Sequence, residues 1–194
     1  MSPVSSPFGP QHAPAGDVGA ALMLIDSRLK SVYDGMRRDE SGEEDEDSAA
    51  SEAERRDLAG HLGDSLGPGG FHELLDGACT LIYLFMTWLR KAHEEHGKDV
   101  IEYVVPTLVT SMRMMPRSIR PEAIPTMAGL VIAAGTGLSP SLWRRQYGEW
   151  TEAEMTPLEA TAFLLAERIN RITEDQDFAT RLITDALTRA EEEL

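Results

Sequence analysis

Twelve residues at 78–89, A-C-T-L-I-Y-L-F-M-T-W-L, constrain the fold most. Ten of them are apolar, and on a helix they would cover every face. A helix that is apolar all round must be buried by other elements. The run is also too short to span a bilayer, which takes roughly 20 such residues. It therefore predicts the buried central helix of a bundle. That helix should run over 71–96, with Gly97 as its C-cap.

The flanking segments carry the helical period. Over 18–36, Leu22, Ile25, Leu29, Val32, Tyr33 and Met36 fall on one face. From Pro157 onward, Leu158, Ala162, Leu165, Ile169 and Ile172 do the same. Phe178, Leu182, Ala186 and Ala190 repeat every four residues in a last helix from about Gln176. Pro121 or Pro125 suits the first turn of a helix reaching Gly135, and Ser139-Pro140 reads as an N-cap followed by Pro at N1. Thr151 with Glu154, and Thr156 with Glu159, fit the capping box. The segment 99–115 is rich in β-branched residues, which favour strand. Its length and its neighbours favour a helix kinked or broken near Pro106. The expected fold is all-α: one bundle of about seven helices around 78–89.

Two stretches lack periodicity. Residues 1–17 hold Pro3, Pro7, Pro10 and Pro14 among Ser, Gly and Gln, and read as a disordered tail. Residues 39–57 hold ten acids and two arginines, a net of −8, and read as a solvated flexible loop. A short helix to Leu62 and a Gly-rich turn should follow. The expected domain is thus 18–194, interrupted at 39–57. Deleting 39–57 is expected to leave thermal stability nearly unchanged.

The full chain of 194 residues has a formal charge of −15. That balance opposes nucleic acid, whose binding rests on neutralising phosphates, and opposes anionic membranes. Cys79 is the single cysteine, and no secretory leader is read at the start, so a cytoplasmic protein is expected.

Few residues suggest chemistry. G-D-S-L-G at 63–67 matches G-x-S-x-G and the GDSL string of one esterase family. That chemistry needs a preceding strand and a histidine near the C-terminus, yet none occurs after His96. The match reads as chance in a Gly-rich turn. His93 and His96 share a helix face and are weak metal candidates, but two histidines do not close a site. Cys79 reads as a buried small hydrophobe. Glu73 and Asp76 are the carboxylates nearest the apolar run. The glycines at 135 and 137 do not complete a dinucleotide loop, so no cofactor is expected.

One region is basic. Over 113–145, Arg113, Arg117, Arg120, Arg144 and Arg145 face one acid, Glu122. Trp143, Tyr147 and Trp150 lie at helical spacing beside them. Arg113, Arg117, Arg120, Trp143, Arg144, Tyr147 and Trp150 are therefore the candidate ligand- or partner-binding residues, since guanidinium groups fork carboxylates and phosphates. The competing reading pairs these arginines with the acidic C-terminal helix and puts the aromatics in the core. Met112, Met114 and Met115 suit either a core or an adaptable surface.

These features point to a cytosolic protein-interaction or regulatory module without catalytic activity. Its expected partner is another protein, and a homodimer is compatible with so much apolar helix. The alternatives are a binder of a small anionic ligand in an Arg/Trp-lined pocket over 113–150, and an enzyme whose catalytic residues follow no known motif.

Overall fold

A computed structural model describes residues 6–41, 53, 54, 56–58, 60, 61, 64, 65, 67 and 69–194. The fold is all-α, and no strand occurs among the described residues. The long elements are α1 (Val18–Ser41), α2 (Gly70–Glu94), α3 (Val100–Arg113), α4 (Ile124–Gly135), α5 (Pro140–Arg145), α6 (Met155–Thr173) and α7 (Phe178–Glu192).

Helix α2 is the axis of the bundle and touches each of the other six. Leu75, Leu81, Ile82, Phe85, Met86 and Leu89 along it are fully buried. Leu24, Ile25 and Leu29 of α1, Leu158, Leu165 and Ile169 of α6, and Met127, Leu130 and Val131 of α4 close around it in one continuous core. No described helix is long and apolar enough to cross a membrane.

Local chemistry sets the helix ends. The Asp17 carboxylate accepts the Ala20 N–H at 2.8 Å and caps α1. Asp99 caps α3 by accepting the Ile101 N–H at 2.7 Å. The Ser139 hydroxyl caps α5 through the Leu142 N–H at 3.2 Å. Gly97 follows α2 at φ 68°, and the Lys98 N–H returns to the His93 carbonyl at 2.9 Å, as a left-handed C-terminal turn requires.

Several expectations need adjusting. Residues 99–115 hold the expected helix and no strand, but α3 is not broken at Pro106 and runs through it, with Val104 and Leu108 facing the core. The β-branched bias there reflects packing, which overrides intrinsic propensity. Thr151 and Glu154 do form a capping box, with the Thr151 N–H donating to the Glu154 carboxylate at 2.8 Å. Thr156 and Glu159 do not form one, because α6 already starts at Met155 and Glu159 is buried in it. Helix α1 extends to Ser41, so residues 39–41 belong to it. Of the rest of the acidic segment expected to be a loop, 53, 54, 56 and 57 are helical, and 42–52 and 55 lie outside the described residues, as do residues 1–5.

Residues 6–17 do not trail away from the bundle. They form a strap over α2 and the start of α5. The Phe8 carbonyl accepts the Ser139 N–H at 2.8 Å, the Ala15 carbonyl accepts the Thr80 hydroxyl at 2.7 Å, and the Asp17 N–H donates to the Glu73 carbonyl at 2.8 Å. The crossing is close enough to require glycine on both sides. A Cβ on Gly16, which sits at φ 68°, would lie 2.2 Å from the Gly77 nitrogen, and one on Gly77 would lie 2.3 Å from the Asp17 carbonyl oxygen. Irregular chain with a single 3-10 turn at Pro10–His12, held by backbone groups, has no apolar period, so composition alone misreads it as disorder.

Candidate functional site

The polar chemistry of the interior gathers where α2 meets α5. Asp76 lies on the buried stretch of α2 and is only 3% exposed. An unpaired carboxylate there would be costly, since burial penalises charge. Helix α5 supplies the compensation. The Ser141 hydroxyl donates to Asp76 Oδ1 at 2.6 Å, and Arg145 donates to Oδ2 at 2.7 Å. Both carboxylate oxygens are thereby engaged, by one neutral and one charged donor.

One residue earlier, Arg144 turns inward and is 8% exposed. It grips Glu154 with two parallel bonds, 2.7 Å to Oε1 and 2.8 Å to Oε2. It also donates to the Gly148 and Glu149 carbonyls at 2.9 and 3.2 Å. Its guanidinium lies 4.9 Å from the centre of the Trp150 ring, within cation–π range. Burial pushes the Glu154 carboxyl up, but the Arg144 guanidinium and the Thr151 N–H and O–H outweigh it and hold the group below the usual carboxylate range.

The predicted binding residues therefore divide. Arg144 and Trp150 are buried and serve the fold. Trp143 is half-buried and packs over Gly129 of α4, with Tyr147 edge-on to it at 5.3 Å. Tyr147 itself is 70% exposed. Arg113 at the end of α3, and Arg117 and Arg120 on the connection to α4, are exposed. The acidic C-terminal helix is not the partner of Arg144 or Arg145, whose carboxylates come from Glu154 and Asp76. The methionines divide too: Met112 is in the core, whereas Met114 is 79% exposed.

The remaining candidates lie apart from this cluster. His93 holds its own helix, with Nδ1 2.7 Å from the Leu89 carbonyl, and His96 is exposed. Among the described residues, no three His, Cys, Asp or Glu side chains converge as metal ligands would. Glu73 is exposed and contributes its backbone carbonyl to the strap. Cys79 is buried, and burial, helped by the Asp76 carboxylate, pushes its thiol far up and keeps it protonated. Gly63 and Leu66 of G-D-S-L-G lie outside the described residues, and Asp64 and Ser65 are helical.

Residue pattern did not reveal one feature, a half-open cleft of about 110 Å³ beneath the strap. Its walls are Pro10, Pro14 and Ala15 on the strap side, and Cys79, Tyr83 and Ser141 on the helix side.

No protein-family model, curated protein or solved structure matches this chain.

Proposed function

We propose that this chain is a cytosolic, non-catalytic interaction module that docks an acidic segment of a partner protein on its 113–120 turn. The observation carrying this reading is the exposure of Arg113, Met114, Arg117 and Arg120 within eight residues, in a chain of charge −15. Arg144 and Arg145 are already engaged by Glu154 and Asp76. Arg113, Arg117 and Arg120 have no carboxylate partner among the described residues, so their donors remain available to a ligand. Met114 adds an adaptable apolar contact beside them. Pro116 and Pro121 limit the turn's backbone freedom, which lowers the entropy lost on docking. An acidic peptide that also carries apolar side chains matches this combination in charge and in character.

The test is a titration of the full chain with a labelled peptide of alternating Glu and Leu, followed by anisotropy at low and moderate salt. Binding should weaken as salt rises, because exposed charges are screened. Reversing all three arginines to glutamate should weaken it by roughly tenfold or more, at a few tenths to about 1 kcal/mol per exposed pair. Met114→Ser should weaken it less, with unchanged salt dependence. Equal binding by the triple variant and the parent would overturn the reading.

A further inference from the structure

The strap shows directly what the groove beneath it can hold. Residues 6–17, S-P-F-G-P-Q-H-A-P-A-G-D, pass between α2 and the start of α5 as a turn at 7–9, one 3-10 turn at Pro10–His12 and irregular chain to Asp17. Recognition is through the backbone: the Phe8 and Ala15 carbonyls accept from the Ser139 N–H and the Thr80 hydroxyl. The prolines and alanines of the strap form one wall of the cleft, against Tyr83 and Pro140. Backbone hydrogen bonds together with apolar walls for proline are a general way to bind a proline-rich segment. Such a segment also loses little entropy on docking, because proline is already restricted.

The strap is held unevenly, by three hydrogen bonds to the bundle and the close Gly16–Gly77 crossing, while five of its twelve residues are exposed. Pro7, Gln11, His12, Pro14 and Ala15 are exposed. Segments with few buried contacts and few bonds open far below the free energy of global unfolding. Gly16 stands at the junction with α1 and supplies the left-handed turn on which the strap meets Gly77.

We propose that the groove formed by Thr80, Tyr83, Gly77, Ser139 and Pro140 is a recognition site for a short, turn-forming proline-rich segment. Residues 6–17 occupy it in cis, and release of this strap opens it to a segment of the same chemistry from another polypeptide. The site is separate from the 113–120 turn, and neither proposal depends on the other. The strap thus acts as a built-in competitor, whose high effective concentration sets a threshold that an incoming segment must exceed.

Cys79 makes the opening measurable, because it is the only cysteine, lines the cleft and is buried in the closed state. Gly16→Val should free the strap while leaving the groove intact, since any Cβ at residue 16 meets the Gly77 backbone. Gly16→Ala is the milder form should the valine variant fail to fold. With helicity and melting checked by circular dichroism, this variant should react with a colourless disulfide reagent at least tenfold faster than the parent chain. A labelled peptide with the sequence of residues 6–17 should bind the Gly16 variant, bind the parent at least tenfold more weakly, and restore protection to Cys79. Adding Thr80→Val should reduce peptide binding severalfold, through loss of one groove donor. An unchanged Cys79 rate in the Gly16 variant would show that the strap is not releasable. A fast rate without peptide binding would show that the groove does not recognise the segment. Either result overturns the proposal.

Discussion

Asp76 Oδ2 and the Arg145 guanidinium meet at 2.7 Å, joining residues 69 apart in the chain. The contact locks the short helix α5 onto the buried face of α2. Arg145 is partly exposed, so its charge retains some hydration, whereas Asp76 has almost none. The carboxylate therefore depends more on the pair than the guanidinium does. Asp76→Ala removes the acceptor for both Ser141 and Arg145. It should cost about 2–3 kcal/mol, as expected for hydrogen bonds to a buried charge. For a chain of this size that corresponds to a fall in melting temperature of roughly 4–12 °C. Asp76→Asn keeps an oxygen for the Ser141 hydroxyl and should lose less. Thermal denaturation followed by circular dichroism decides this, and an unchanged midpoint for the alanine variant would refute the role.

The Arg144–Glu154 pair predicts an acid-sensitive contribution to stability. The Glu154 carboxyl titrates below its ordinary value of 4.5 in the folded state. The folded protein thus holds this proton less tightly than the unfolded chain. Its stabilisation is complete above about pH 4.5 and is lost as pH falls toward and through the lowered folded value. Glu154→Gln should destabilise the chain at pH 7 by about 2 kcal/mol, because buried Arg144 loses its counter-charge and one of its two side-chain acceptors, keeping the amide oxygen and the Gly148 and Glu149 carbonyls. The same variant should show a shallower loss of stability between pH 5 and 3 than the parent. Urea midpoints measured across that range are the check. Parallel acid limbs in the two proteins would show that this pair does not contribute there.

How much of this could be read from residues alone depends on sequence distance. The central helix, its neighbours and the caps at Ser139 and Thr151 follow from patterns within about seven residues, and the structure contains them. The partners of Asp76 are 65 and 69 residues away, so no local pattern can name them. A usable signal was nevertheless present. Asp76 stands in L-L-D-G-A-C, where a carboxylate on a buried helix requires a compensating donor. The inward turn of Arg144 was also foreshadowed, because Glu154 lies ten residues on, just after a short loop. The strap left only Gly16 as a clue, since an irregular segment has no period of its own to reveal what it lies against.

Two glycines with opposite surroundings give the last prediction. Gly129 of α4 lies under the Trp143 ring, and a Cβ there would come within 2.3 Å of the ring carbon Cη2. Trp143 has little room to retreat, because Tyr147 packs edge-on against it. Gly129→Ala should therefore destabilise the chain by about 1–3 kcal/mol, the usual cost of overpacking, and shift tryptophan emission. Gly35 of α1 is the converse case, a helical glycine with nothing within 4 Å of its Cβ position. Gly35→Ala should stabilise by about 0.4–1 kcal/mol, through lower entropy of the unfolded chain and better helix propensity. Combining Gly129→Ala with Trp143→Leu should recover most of the lost stability, since the smaller side chain clears the new methyl group. Failure of that rescue, with Gly129→Ala still destabilising, would place the strain elsewhere than at the ring. A neutral Gly129→Ala would mean that α4 and α5 can slide apart at this contact without penalty.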